Sequence, residues 1–190
     1  VFKLKSRDMS LRYKFWNPDG IYFISFSVVG WIDVFVRNIY KDILIDSIAH
    51  CQKEKGLVVH AYVIMTSHVH MIISRHGPYK LEDILRDLKK FTSFKIIGSL
   101  IENPQESRKE WLLEMFEKYG KRNSNNTNYQ FWQQNNHPIE LVNTYLIDQK
   151  INYLHNNPIE SGFVNFPEDY IYSSAIDYSY GKGYIEIEML

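Results

Sequence analysis

Short segments rich in β-branched and aromatic residues alternate, along the first half of the chain, with segments whose apolar residues recur at helical spacing. The first kind of pattern predicts strands at 21–29, 57–65 and 68–74, with a tight turn joining the last two into a hairpin. The second kind predicts helices at 38–55 and at about 81–100. The first half therefore reads strand, helix, hairpin, helix.

The second half continues this alternation less regularly. We predict a short helix at 103–120, a polar loop at 121–128 and a fourth strand at 129–134. A last helix is predicted at 140–156, where we expect Pro158 to end it, because proline disfavours helical backbone in the residue before it.

The resulting order, β-α-β-β-α-(α)-β-α, is typical of an α+β fold of the ferredoxin-like kind. Such a fold has an antiparallel sheet with helices on one face, here with an extra C-terminal helix. Neither a repeat nor a linker divides the sequence, so we predict a single domain over 1–190. Its core is expected at about 15–160, followed by a tail at 161–190 that has no clear period.

Composition narrows the functional classes. Twenty-two basic residues balance twenty-two acidic ones, so a nucleic-acid or membrane partner would have to be held by local patches rather than by the overall charge. The single cysteine, Cys51, excludes a disulfide framework and a multi-cysteine zinc site. No apolar run approaches the roughly 20 residues needed to cross a bilayer, and the first residues do not resemble a secretory signal. We therefore expect a cytoplasmic protein with no membrane partner.

The sharpest chemical feature is the pair His68 and His70 in the third predicted strand. Side chains two residues apart on a strand point to the same face, so both imidazoles can meet one ion. Neutral imidazole is a common ligand of divalent metals, but two histidines do not complete a site. A further oxygen or nitrogen ligand must come from elsewhere.

The last predicted helix offers two candidate pairs. Tyr153 and Asn157 are four residues apart and share a helical face if the last turn holds as far as Pro158. Tyr145 and Gln149 have the same spacing and lie eight residues earlier on the same predicted helix. In either pair a phenol would stand beside an amide ligand, although a tyrosine that packs on the sheet and an asparagine that caps the helix would fit the same spacing. Geometry alone leaves both pairs open.

Four ordered blocks resemble a known family. The run AYVIMTSHVHMII at 61–73 resembles the HUH motif (His, hydrophobic, His) of single-tyrosine transposases. The run YLHNNPIESGFV at 153–164 is similar to the tyrosine helix and following turn of REP-associated tyrosine transposases, relatives of the insertion-sequence-200-like enzymes. FWQQ at 131–134 and PEDYIYSSA at 167–175 also resemble that subgroup.

The resemblance implies an HUH transposase domain that cleaves and rejoins single-stranded DNA beside a hairpin, as an endonuclease and ligase. It implies Mg²⁺ or Mn²⁺ bound by His68, His70 and Asn157, and Tyr153 as the nucleophile that forms a 5′-phosphotyrosine link. Because the subgroup has asparagine and proline after its tyrosine, Tyr153 is favoured over Tyr145. Gln149 keeps some weight, since related transposases have a glutamine four residues after their tyrosine.

Candidate DNA contacts lie in two basic clusters, which would serve equally as solvated surface. Two alternatives to transposition stay open: an HUH nuclease that nicks strands for replication or mobilisation, and a domesticated, non-catalytic binder of DNA or RNA hairpins. The family contains monomers and homodimers, and no segment decides between them. The clusters are Arg86, Lys89, Lys90 and Lys95 on the second helix, and Lys121 and Arg122 before the asparagine-rich part of the polar loop.

Overall fold

The computed structural model describes residues 15–122, 128–134 and 136–190. The predicted polar loop at 121–128 lies largely outside these residues. Four antiparallel strands form one sheet in the order β2-β3-β1-β4, which is the strand order of the ferredoxin-like fold. The predicted α+β class is thus confirmed. The strands are β1 (Tyr22–Ser27), β2 (Leu57–Ile64), β3 (His68–Arg75) and β4 (Ile139–Glu140).

Two long helices, α1 (Asn38–Lys55) and α2 (Leu81–Glu102), cover one face of the sheet. Alternate residues of β1, including Tyr22, Ile24 and Phe26, are buried against them. At the end of α1, Gly56 adopts φ 70°, and a Cβ there would collide with the His76 carbonyl that follows β3. Only glycine suits both the left-handed backbone and this close approach, so the chain can enter β2 directly.

The opposite face of the sheet carries α4 (Thr144–Glu160). Ile151 and Leu154 of this helix pack with Phe23, Val63 and other residues that point away from α1 and α2. Since both faces are covered, every residue of β2 is buried. The fold thus has helices α1 and α2 in one layer, the sheet in the middle, and the predicted extra helix on the far side.

The prediction that Pro158 ends the last helix is wrong. The helix continues to Glu160, with the Ser161 amide donating to the Asn157 carbonyl before Gly162 turns the chain at φ 73°. Proline removes one N–H and crowds one carbonyl, and so close to a helix end this loss is tolerated. The last turn therefore holds, and Tyr153 and Asn157 share one helical face.

The fourth strand also lies further along the chain than predicted. Residues 129–134 contain a single ladder contact, the bridge between Trp132 and Val28, whereas the paired strand is Ile139–Glu140. The carbonyl of Gln133 instead accepts a hydrogen bond from the Lys89 ammonium. Phe131 and Trp132 are buried in the main core, which explains their strand-like composition.

The third helix, α3 (Lys109–Lys121), begins later than the predicted residue 103. Glu106 interrupts the helical path because its buried carboxylate pairs with Arg37 at 2.7 Å and accepts a hydrogen bond from Tyr40 at 3.3 Å. These contacts tie the connection after α2 to α1.

The C-terminal tail runs along the outer edge of β2. The Ile64 amide donates to the Tyr172 carbonyl, the Ser174 amide to the Tyr62 carbonyl, and the Glu188 amide to the Val59 carbonyl. Between these contacts the tail forms the short helix α5 (Ala175–Tyr178). Among the described residues, no helix is long and apolar enough to span a membrane.

Candidate active site

Strand β3 places His68 and His70 on the face of the sheet that α4 covers. Their ring centroids lie 4.8 Å apart, as the strand spacing predicts. Across the ladder, His68 pairs with Ser27 and His70 with Ser25 of β1. These small neighbours leave the two imidazoles room on this face.

Tyr153 of α4 contacts the same pair. Its Oη lies 3.5 Å from His70 Nε2, and the two rings meet edge to face with centroids 5.3 Å apart. Phe23 stacks on His70 at 5.5 Å and supports the edge of the Tyr153 ring at 6.0 Å. The residue is nevertheless 42% exposed. Tyr153 is thus fixed beside the histidines while remaining accessible to a large substrate.

Burial keeps both imidazoles neutral. It lowers the pKa of His70 to about 3, with smaller contributions from the neighbouring His68 and Lys150. Burial likewise lowers the pKa of His68. A neutral imidazole has a free lone pair, so at neutral pH both side chains are in the form that binds a metal.

Lys150 brings a positive charge to the site. Its Nζ lies 4.8 Å from the centre of the Phe23 ring and 5.5 Å from that of Tyr153. Within the described residues, Lys150 forms no ion pair with a carboxylate. The site therefore combines a phenol, two neutral imidazoles and an ammonium group, an arrangement suited to an anionic substrate.

The residues present fit a divalent metal. His70 Nδ1 is buried and has no hydrogen-bond partner in the described part of the chain, so this nitrogen is available to coordinate a metal. Residues 15–122, 128–134 and 136–190 contain no group of three or more His, Cys, Asp or Glu that could hold an ion. A third ligand would therefore be of another type, and the half-buried Asn157, one turn beyond Tyr153, has an amide oxygen on the same helical face.

The alternative pair lies elsewhere on α4. Tyr145 is in the first turn and 72% exposed, and Gln149 is also exposed. Of the two candidate tyrosines, Tyr153 is the one whose ring contacts His70.

The four predicted DNA-binding residues on α2 do not gather at the histidines, because α2 lies on the other face of the sheet. Arg86 is engaged by Asp83 and Asp87. Lys89 donates to the Gln133 carbonyl at 2.6 Å and to Asn136 Oδ1 at 2.9 Å, and burial lowers its pKa to about 8.

The remaining four cations are closer to solvent. Lys90 and Lys95 are exposed on α2, and Lys95 lies 5.5 Å from the centre of the Phe91 ring. Lys121 pairs with Glu117, and Arg122 lies over the Tyr119 ring. Binding of DNA by all six residues stays a prediction.

Sequence reasoning missed three residues around the site: Phe23, Trp31 and Lys150. The sequence could have indicated Lys150, because a residue three positions before Tyr153 shares its helical face. The sequence could not have indicated Trp31, because its edge-to-face contact with His68, with centroids 5.4 Å apart, joins a loop to a strand that is distant in sequence.

Comparison with solved structures places this geometry in context. A REP-associated tyrosine transposase bound to a REP hairpin superposes with a TM-score of 0.62, covering 87% of this chain and 83% of that one at 16% identity. The chain has the fold of a REP-associated tyrosine transposase. A candidate transposase from Deinococcus radiodurans R1 aligns over 56% of this chain and 94% of its own, at 15% identity and a TM-score of 0.38, too low to support an argument. No family model and no curated protein matches the sequence.

Proposed function

We propose that this chain is a DNA transposase that cleaves and rejoins single-stranded DNA beside a hairpin, using Tyr153 as nucleophile. The observation that carries the proposal is the contact between Tyr153 Oη and His70 Nε2, in the fold of a tyrosine transposase. The solved relative is bound to a REP hairpin, which supports DNA as the partner.

In the proposed reaction, Tyr153 Oη forms a bond to the scissile phosphorus and the bond from phosphorus to the 3′ oxygen breaks. The phenol loses its proton to solvent through its exposed side, and the leaving oxygen takes up a proton to become a 3′-OH. The DNA remains attached through a 5′-phosphotyrosine bond. Attack by another 3′-OH reverses these steps and rejoins the strand, so no ATP is needed.

Lys150 and Phe23 assist in different ways. Lys150 places its ammonium group near the Tyr153 ring, where it attracts the phosphate. Phe23 packs against both Tyr153 and His70 and fixes their separation. His68, His70 and Asn157 would hold Mg²⁺ or Mn²⁺, which polarises the phosphate when bound.

The test is formation of a covalent protein–DNA adduct. Purified protein would be mixed with Mg²⁺ or Mn²⁺ and labelled single-stranded hairpin DNA from beside its own gene, then resolved on a denaturing gel. We expect an adduct with the wild type and with Tyr145→Phe, the matched control, and none with Tyr153→Phe. Loss of the adduct in Tyr145→Phe alone would contradict the choice of tyrosine.

Absence of any adduct together with tight, metal-independent hairpin binding would favour the non-catalytic binder. Cleavage without rejoining would favour a replication or mobilisation nuclease. A homodimer stays a prediction that light scattering of the purified protein would test, and the cytoplasmic location stays a prediction as well.

A further inference from the structure

Trp31 has an unusual backbone. It adopts φ 56°, directly after Gly30 at φ 62°. Glycine occupies this left-handed region freely, but a bulky residue there is a genuine outlier, and such strain concentrates at functional sites. The backbone at position 31 would suit glycine or asparagine better, yet the chain has tryptophan.

The Trp31 side chain lies at the candidate active site. Its ring meets the His68 ring edge to face, and 60% of the side chain is exposed. A large apolar ring is thus presented to solvent beside the residues that would address the scissile phosphate.

The loop that carries Trp31 is held in place. The Val28 amide donates to the Ser67 carbonyl and the Val29 amide to the Phe131 carbonyl, each at 2.8 Å. Val29 and Ile32 are buried on either side. The ring therefore projects from a fixed support, which lowers the entropy lost when a ligand stacks on it.

The same loop borders a groove of about 540 Å³. Gly30 forms part of its wall against Tyr119, where a Cβ would lie 2.6 Å from the tyrosine hydroxyl. Arg122 can contact a phosphate, and a glutamine amide can pair with a base edge; here Gln130 and Gln133 also donate through Nε2 to the Trp132 and Val28 carbonyls. The glutamines that line the groove are Gln130, Gln133 and Gln134.

We infer that Trp31 is the stacking platform for the unpaired base that flanks the scissile phosphate, and that the strand continues from it into this groove. The inference rests on the proposed function for the identity of the ligand. Stacking on an aromatic side chain tolerates every base, because each has a π-face. Trp31 accordingly contributes affinity for single-stranded DNA, and the groove contributes the sequence preference.

The test measures binding rather than cleavage. Affinity for a fluorescent hairpin with a single-stranded extension would be determined in EDTA, with all variants made in a Tyr153→Phe background. We expect Trp31→Leu to weaken binding about tenfold and Trp31→Phe to retain most of it. Trp111→Leu is the matched control, because Trp111 is 48% exposed but lies on α3, and it should bind like the parent.

A Trp31→Gly variant separates ligand binding from a structural role. Removing the strained side chain should raise the melting temperature while reducing affinity for the extended hairpin, whereas a structural tryptophan would lower the melting temperature when replaced. Unchanged affinity in Trp31→Leu and Trp31→Gly, or no binding of the extended hairpin by the parent, would overturn the inference.

The two proposals can fail separately. An adduct in the wild type, with unaltered binding by the Trp31 variants, would leave the transposase standing and remove the stacking role. Weaker binding by Trp31→Leu in a protein that forms no adduct would remove the transposase activity and leave Trp31 as a residue on which single-stranded DNA stacks.

Discussion

Acid should weaken this fold in part through His155, a buried histidine of α4. Its Nε2 lies 2.9 Å from Ser174 Oγ in the tail, and its ring packs edge to face with Tyr178 at 5.1 Å. Burial lowers the pKa of His155 from its ordinary 6.5 to about 4. His155 thus joins the helix that carries Tyr153 to the tail, and protonating its buried ring costs the folded state free energy.

The sign and size follow from proton linkage. Between pH 6.5 and about 4, the unfolded chain binds a proton at His155 and the folded chain does not, so unfolding takes up a proton and becomes easier as the pH falls. The stabilisation is complete above pH 6.5. Each pKa unit corresponds to about 1.4 kcal/mol, which makes the full loss about 3 kcal/mol, a large share of the stability of a typical domain.

The assay is urea unfolding at pH 7 and pH 4.5, followed by circular dichroism. We compare the wild type with His155→Gln, which cannot titrate. Other buried histidines contribute equally to both proteins and cancel in the comparison. The wild type should lose about 2 kcal/mol more than the variant between the two pH values. Equal losses would refute the assignment of this acid sensitivity to His155.

Two further predictions concern the metal ligands and Lys150. Mg²⁺ or Mn²⁺ should raise the melting temperature of the wild type and of His76→Ala, an exposed control, but not of His70→Ala. At a hundred times its dissociation constant the ion adds about 2.7 kcal/mol to the free energy of unfolding. A shift in melting temperature that persists in His70→Ala would exclude this metal site. Lys150→Met should slow adduct formation about tenfold, because it removes a charge near the phosphate, whereas Lys53→Met on α1 should not. Timed denaturing gels would measure both rates. Equal rates in the two variants would show that the Lys150 charge does not contribute to the reaction.

The sequence was informative wherever the relevant spacing was local. Residues two apart on a strand or four apart on a helix share a face, and this was enough to pair His68 with His70 and Tyr153 with Asn157. The strand order followed equally well from the alternation of elements. What remained open was which tyrosine meets the histidines, because that depends on how α4 crosses the sheet.

The errors arose where tertiary contacts override local preference. Phe131 and Trp132 have the composition of a strand but are buried in the core, and Lys89 captures the Gln133 carbonyl that a ladder would have used. The helix α3 begins later than predicted for a similar reason, because the buried Glu106 before it binds Arg37 and Tyr40. Each case involves residues far apart in sequence, which no periodicity reveals.

The tail that lines β2 has a consequence for assembly. An open outer strand is a template on which another chain can add its own strand, and many proteins join their sheets in this way. Here the backbone groups of Val59, Tyr62 and Ile64 at that edge are already satisfied by the tail. Two copies could merge their sheets at β2 only after peeling the tail away, so a homodimer that leaves the tail in place must use another surface, such as the opposite sheet edge at β4, the helices or the loops.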